Sequence, residues 1–441
     1  MTACARGWYA SPMRFRWPFG RTEQSFEVPE RLLVGSVEGE RVPPLPDLQR
    51  ALRTALKEPV GSPPLFHLFR PGDRVLVVVP DFHRMWVRTP VWLPLLLNEL
   101  NRSGVNDRDL ELLVATGTHP RPSWEELREM LGEKLMSRVR VSVHDARDPA
   151  GLVRLGESAA GTPIYLNRLA LGGRKVILTG GVVPHAFAGF GGGRKAVVPG
   201  IAGMRTILAN HRLALHPRRG GGIHPRAAPG VLEGNPVSED MEDIAARLSP
   251  SFIVNFALSE EGEFLRVFAG QWREAHRAGC RFVEEAFRVP VRERGDIVVA
   301  SRGGHPMDLT FYQAFQSYAN AQAALKPGGV LIMVGECSEG VGGYDFEKWF
   351  DLGSAEAIEE ELRREFTVPG FVVYRAALLA RRVRRLILVS GLPPETVRRI
   401  GITPHSNIAD ALREAWSLIP EGKVILMPHA SQTIPALPED P

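Results

Sequence analysis

Residues 73–84 read DRVLVVVPDFHR. The apolar run from Val75 to Pro80 has no alternation, the pattern of a strand buried on both faces of a parallel sheet. A helical pattern follows over about 90–101, then a second strand at 110–115. Ser123 with Glu126 has the spacing of a capping box and opens a further helix. Strands are expected at 175–179, 252–258 and 264–268, a helical stretch near 204–214 and a helix over 271–288. The pattern then restarts with GDIVVAS (295–301). A helix at 311–325, a strand at 329–334, helices near 355–365 and 371–383, a strand at 386–390, a helix at 408–416 and a strand at 423–427 follow. Alternating strands and helices predict an α/β fold class: two doubly wound α/β domains with the active site in the cleft between them. The expected boundaries are an N-terminal extension over 1–20, a first α/β domain over 21–285 and a second over 290–420. A C-terminal strand and tail over 421–441 could return to either sheet. Met13 is an alternative start.

Composition mostly excludes. Gly and Pro make up 80 of 441 residues, which implies a loop-rich fold rather than disorder. A net charge of +4 with no basic stripe gives little reason to expect nucleic acid. Three scattered cysteines carry no zinc spacing or disulfide framework, and no apolar run is long enough to span a membrane. The N-terminus lacks the apolar core of a secretory signal. The expectation is a cytoplasmic protein. Only seven of the 54 basic residues are lysines, so Lys195, inside a glycine-rich loop, stands out.

Ligands of open parallel sheets bind beyond the carboxyl ends of strands, and polar residues recur there. VLVVVP runs into Asp81, His83 and Arg84; LELLVATGT into His119; KVILTGGVVP into His185; GDIVVASRGG into His305 and Asp308. The densest segment is 181–211, GVVPHAFAGFGGGRKAVVPGIAGMRTILANH. Gly191, Gly192 and Gly193 permit close backbone approach, and with Arg194 and Lys195 they read as an anion nest for a nucleotide phosphate. The loop is neither a Walker A motif, since Ala196 follows the lysine, nor GxGxxG, since Arg194 takes the third glycine's place. His119 and His185 could form a proton-transfer pair. His211 reads equally as a metal ligand or as a histidine at a helix C-terminus. The residues alone reach a metal- or nucleotide-dependent α/β enzyme with two histidine acid/bases.

The chain also resembles the lactate racemase family, whose members use a nickel-pincer nucleotide. The segments carrying the resemblance are VGSPPL (60–65), RPGDRVLVVVPD with Arg84, ATGTHPRP (115–122), PHAFAGFGGGRKAVVPGIAG (184–203), NH (210–211), GNPVSEDM (234–241) and GGHPMDLTFYQ (303–313). The resemblance implies a cofactor held covalently at Lys195, with His211 as the protein ligand to nickel. His119 and His185 become the catalytic histidines. Asp81 and Arg84 match an acidic and cationic pair, with Arg84 on the substrate carboxylate. Tyr312 and Gln313 match a pair near cofactor and substrate. The implied reaction takes the hydroxyl proton and moves the C2 hydrogen as hydride to the cofactor, so return to the other face inverts C2. The implied partners are a small 2-hydroxy acid and the enzymes that build the pincer nucleotide, with no nucleic acid and no membrane.

Departures cluster at the substrate end. A lysine expected three residues after Gln313 is Gln316, the family's Thr and Pro flanking the arginine are His83 and Met85, and a tyrosine position is His305. They predict a substrate other than lactate, a larger 2-hydroxy acid or sugar acid, contacted by Gln316, His83 and His305. The competing readings are a metal-dependent hydrolase on His119, His185 and His211, and a non-catalytic nucleotide-binding homologue.

Overall fold

The computed structural model describes residues 12–39, 42–342 and 345–438. The chain forms two compact units. The first comprises Glu40–Phe287 with Glu361–Val368, and the second comprises the chain up to Gly39, Arg288–Glu360 and Pro369 onward.

The first unit is built on a six-stranded sheet. From one edge its order is Phe264–Gly270, Phe252–Leu258, Lys175–Gly181, Val75–Pro80, Leu110–Ala115 and Arg140–Val143. All neighbours are parallel except the edge strand Phe264–Gly270, which runs antiparallel to Phe252–Leu258. Every residue of Val75–Pro80 is buried, as its unbroken apolar run predicts. Helix Thr89–Arg102 covers one face with Trp92, Leu93, Leu96, Leu97 and Leu100, which recur at helical spacing and pack into one core with Val75, Val77 and Val79. The Trp92 indole N–H is satisfied by the Val87 carbonyl at 3.0 Å, and its ring lies 4.9 Å from Phe256. Helix Trp272–Phe287 covers the other face, with Cys280, Val283 and Phe287 clustered with Val182, Phe190, Ala257 and Phe268. Ser123 and Glu126 form the expected capping box.

The order reverses inside this sheet. Val75–Pro80, Leu110–Ala115 and Arg140–Val143 step outward in chain order on one side, whereas Lys175–Gly181 and Phe252–Leu258 step outward on the other. The connections leaving Pro80 and Gly181 therefore diverge, opening a crevice beyond the ends of two adjacent strands.

The second unit holds a six-stranded, all-parallel sheet in the order Thr403–His405, Arg385–Val389, Leu325–Val334, Gly295–Ser301, Val424–Met427 and Leu33–Ser36. Two boundary expectations are corrected here. Residues 12–20 are not an extension: Pro12–Phe19 pairs antiparallel with Thr22–Pro29, and Trp17, Phe19, Phe26 and Val28 join the core beside Ile297, Val299 and Val330. Residues 21–39 belong to this unit rather than the first. Of the two sheets open to it, the strand Val424–Met427 takes this one, between Gly295–Ser301 and Leu33–Ser36. The expected helix at 311–325 is broken into Phe311–Ala314 and Tyr318–Ala321 with tight turns after each. Ser317 Oγ donates to the Ala314 carbonyl at 2.7 Å, a local bond that competes with the helical ladder. Residues 1–11, within the expected extension, lie outside the described residues.

Trp92→Ala removes a fully buried side chain and its indole partner, so it should destabilise the first unit by about 3–5 kcal/mol. Urea unfolding of the variant against the parent checks this through the shift in midpoint.

Candidate active site

Asp81 and His119 come from adjacent strand ends in the first unit, following Pro80 and Ala115. His119 Nδ1 lies 2.5 Å from Asp81 Oδ2, and His83 Nδ1 lies 3.3 Å from the same oxygen. Burial pushes the Asp81 carboxyl up. The His119 charge, hydrogen bonds from both histidines and the Arg84 charge outweigh it and hold the group well below the usual carboxylate range. Burial lowers the pKa of His119. Asp81 pulls the other way and Arg84 and His83 reinforce the lowering, so the net shift is below the ordinary 6.5. At neutral pH the pair is therefore carboxylate and neutral imidazole. The ring donates from Nδ1 to Asp81 and keeps its Nε2 lone pair, the arrangement of an oriented general base.

Beyond Gly181 stand His185 and Lys195. The Ala188 N–H donates to His185 Nδ1 at 3.2 Å, so the neutral ring carries its proton on Nε2. That nitrogen faces Lys195 Nζ at 3.2 Å. An ammonium would set donor against donor, whereas a free amine accepts the bond. Burial, followed by the charges of Arg84 and Arg194, pushes the Lys195 pKa well below its ordinary value, in agreement. Lys195 is thus presented as an amine nucleophile. The Arg84 charge acts on both Lys195 and His119, so the two strand ends contribute to one site.

His211 lies in the last turn of helix Met204–Arg212 and is buried. Its Nδ1 is 3.1 Å from Asn210 Oδ1. The Asn210 amide is oriented by its Nδ2, which donates to the Val237 carbonyl at 3.1 Å and to Asp240 Oδ2 at 2.8 Å. Asn210 Oδ1 therefore accepts from His211 Nδ1–H, and His211 Nε2 keeps its lone pair. Burial and the Lys195 charge push the His211 pKa down to about 3. A neutral imidazole with its far nitrogen tied to an Asn–Asp relay is a prepared metal ligand. The Phe187 ring lies 4.7 Å from His185 and 5.2 Å from His211, so the three rings are neighbours.

The glycine loop differs from the nest expected of it. The N–H of Gly191 donates to Val183 O at 2.7 Å, that of Gly193 to Asn255 Oδ1 at 2.9 Å, and that of Lys195 to Gly192 O at 3.0 Å. These groups are spent on the protein itself. Gly193 has φ +54°, and a Cβ there would lie 2.4 Å from the His276 ring. The glycines let the loop settle onto Asn255 and His276. Arg194 is corrected likewise. Its guanidinium is fully buried, donating to Ala188 O at 2.6 Å and Ser238 Oγ at 2.9 Å. It braces the loop from beneath and adds charge near Lys195, instead of offering an exposed anion contact.

His305, Tyr312, Gln313 and Gln316 lie in the second unit, after strand Gly295–Ser301. Gln313 is buried, with Oε1 accepting from Thr310 Oγ1 at 3.4 Å. Gln316 Nε2 donates to the Tyr312 carbonyl at 3.2 Å, and the His305 N–H donates to Gly20 O at 2.9 Å.

Sequence reasoning missed Asn255, His276 and Asp240. Asn255 was visible as the one amide in the otherwise apolar FIVNFAL strand. Its Nδ2 donates to Gly180 O at 3.2 Å while Oδ1 holds Gly193, tying strand end to loop. The His276 imidazole meets Gly191 O at 2.9 Å. Asp240, within GNPVSEDM, also accepts from Ser158 and, at 2.9 Å, from Thr162.

Comparison with known proteins bears on this geometry. The model of the lactate racemase N-terminal domain matches residues 19–222, and that of the C-terminal domain matches 291–432. The chain belongs to the lactate racemase family. It is 30% identical over 427 residues to the lactate racemase of Thermoanaerobacterium thermosaccharolyticum, covering 95% of this chain and 98% of the relative. It is 32% identical over 377 residues to that of Lactiplantibacillus plantarum, covering 84% and 86%. The solved structure of the T. thermosaccharolyticum lactate racemase apoprotein matches with a TM-score of 0.87 at 29% identity, over 96% of this chain and all of that one. A Thermotoga maritima protein, 19% identical with a TM-score of 0.68 over 89% of this chain and 99% of its own, shares the fold. Membership makes the chain an enzyme of the isomerase class. The set His119, His185 and His211 does not gather as a hydrolase's metal centre would. Among the described residues the three-ligand group is Asp81, His83 and His119, without the other two. No described helix is long and apolar enough to cross a membrane.

Two outcomes are expected. Competitive acylation followed by peptide mass spectrometry should give Lys195 a pKa well below that of the remaining lysines. Separately, burial and the Arg194 charge hold the His276 pKa down to about 3, against 6.5 when unfolded. Protons therefore favour the unfolded chain between those values, and this contribution to stability, intact above pH 6.5, falls as pH drops toward 3. His276→Gln should flatten that slope in thermal unfolding measured across the range.

Proposed function

We propose that the chain is a nickel-pincer-nucleotide-dependent racemase or epimerase that inverts C2 of a 2-hydroxy acid, with a preferred substrate larger than lactate. The observation that carries the cofactor reading is the pairing of Lys195, a buried amine in hydrogen-bond contact with His185, with His211, a buried imidazole whose ligating nitrogen is unprotonated. A covalent pincer needs a nucleophilic amine, and nickel needs a neutral imidazole; both suit the group. Lys195 would carry it and His211 would ligate its metal. When bound, the cofactor supplies a hydride acceptor and donor, so C2 passes through a planar 2-keto acid.

The remaining chemistry belongs to this chain. Arg84 binds the substrate carboxylate, for which a planar guanidinium is suited. His119 Nε2, oriented by Asp81, takes the hydroxyl proton, leaving its Nδ1–H on the carboxylate that stabilises the imidazolium. His185, on the other lip of the crevice, would serve as the acid/base for the opposite enantiomer. Two histidines are required because the oxygen is approached differently when C2 presents each face.

The substrate reading rests on the departures. A family lysine is replaced by Gln316, so one positive charge is missing. His83, set against Asp81, adds a polar ring beside the base, and a hydroxyl-bearing tail suits it. Tyr312, Gln313 and His305 remain proposed contacts. The enzymes that assemble the pincer nucleotide are the partners this reading requires.

Intact mass of protein matured with those enzymes should show an adduct on Lys195, lost in Lys195→Ala. His119→Ala and His185→Ala should retain the adduct yet lose about 10²–10⁴-fold in racemisation. An unmodified Lys195 in fully active enzyme overturns the cofactor reading. In a screen of 2-hydroxy acids, lactate turning over faster than every larger one overturns the substrate reading.

A further inference from the structure

Asp81, His83 and His119 bring a carboxylate oxygen and two imidazole nitrogens within 4.8 Å of one another. Both rings direct Nδ1 at the same atom, Asp81 Oδ2. Their centroids are 4.3 Å apart, with 43° between the ring planes. Asp81 is 4% exposed while the His83 and His119 side chains are 25% and 19% exposed, so the carboxylate is the floor and the rings are the rim. The set exists because residue 83 is histidine. The turn Phe82–Val87 after the strand brings it back over Asp81, two residues earlier.

We propose that Asp81, His83 and His119 form a binding site for a divalent cation of the zinc–cobalt class, distinct from the nickel site proposed at His211. Two imidazoles and one carboxylate are a donor set that borderline cations favour over magnesium or calcium, and three protein ligands leave positions open to water. A tetrahedral ion with bonds of about 2.0–2.1 Å places its ligand atoms ~3.3 Å apart. The His83–Asp81 separation is already 3.3 Å, and the His119–Asp81 separation of 2.5 Å must open by roughly 1 Å, within reach of side-chain rotation.

The ion binds the neutral form of each ring. Each imidazole binds it through Nδ1 and carries its one proton on Nε2. That tautomer disables His119 as a base, since Nδ1 is on the metal and Nε2 is protonated. Occupancy therefore switches the enzyme off. This inhibition rests on His119 acting as the base in the proposed racemisation, whereas binding itself does not.

The test is isothermal titration of the purified full chain, free of nickel cofactor, with zinc chloride, alongside the visible spectrum on cobalt addition. One zinc per chain is expected, with a cobalt spectrum of a low-coordinate nitrogen and oxygen set. His83→Thr and His119→Gln should each weaken binding by at least tenfold, and His211→Ala should leave it unchanged. Having two ligand variants guards against one that fails to fold. Binding that survives both ligand substitutions, or that vanishes in His211→Ala while persisting in His83→Thr, overturns the site, as does no binding by the parent. A missing Lys195 adduct would overturn the cofactor reading and leave the zinc titration unaffected.

Discussion

The pairing of Val75–Pro80 with Lys175–Gly181 is the constraint on which the candidate site depends. Val75 to Val78 stand beside Lys175 to Leu178 in parallel register. Because the chain winds away from this pair in opposite directions, no helix can cover the gap beyond their carboxyl ends, and that is where side chains can meet a ligand. Pro80 delivers Asp81, His83 and Arg84 to one lip. Gly181 delivers His185 and the glycine loop to the other. His119 arrives from the next strand over, close enough for its ring to reach Asp81. The site is a consequence of strand order before it is a matter of residue identity.

Burial then decides protonation. The crevice removes water from Asp81, His119, Lys195 and His211, and each responds according to its partners. Asp81 stays ionised because two imidazoles and Arg84 face it. Lys195 and His211 have no carboxylate among the groups shifting them, and each loses its proton more readily. Two carboxylates near the site are differently used. Asp81 orients His119, and Asp240, through Asn210, orients His211. One fold thus yields two neutral imidazoles and a deprotonated amine side by side, from ordinary residue types.

Much of this was legible in the sequence because it is local. VLVVVP has the unbroken apolar run of a doubly buried strand, and the polar residues after successive strands pointed to one end of a sheet. The family resemblance implied what local pattern could not: a ligating role for His211 and a cofactor-carrying role for Lys195. The misreadings have physical causes. Residues 13–19, MRFRWPF, alternate apolar and polar with the period of a strand. Their core lies against Ile297 and Val330, some three hundred residues away, and nothing nearby in sequence announces it. Arg194 was taken for an anion contact because arginine is usually exposed. Here Ser238 and the Ala188 carbonyl, from two other segments, satisfy it in the interior. The nest failed for the same reason: Asn255 and His276, both distant in sequence, occupy the space and the donors that a phosphate would have used.

That failure bears on how the glycines should be understood. If the loop held an anion through its N–H groups, its shape would depend on the ligand, and without one it would be free to relax. Gly193 N–H on Asn255, Gly191 N–H on Val183 and a buried Arg194 beneath instead fix the loop from within the protein. Lys195 is consequently aimed at His185 by protein contacts alone. The covalent attachment proposed for Lys195 would gain from such rigidity, because the amine is presented, deprotonated and oriented, by the protein itself. The glycines serve the approach of protein to protein, and the ligand's contribution is left to the single residue that the loop exists to position.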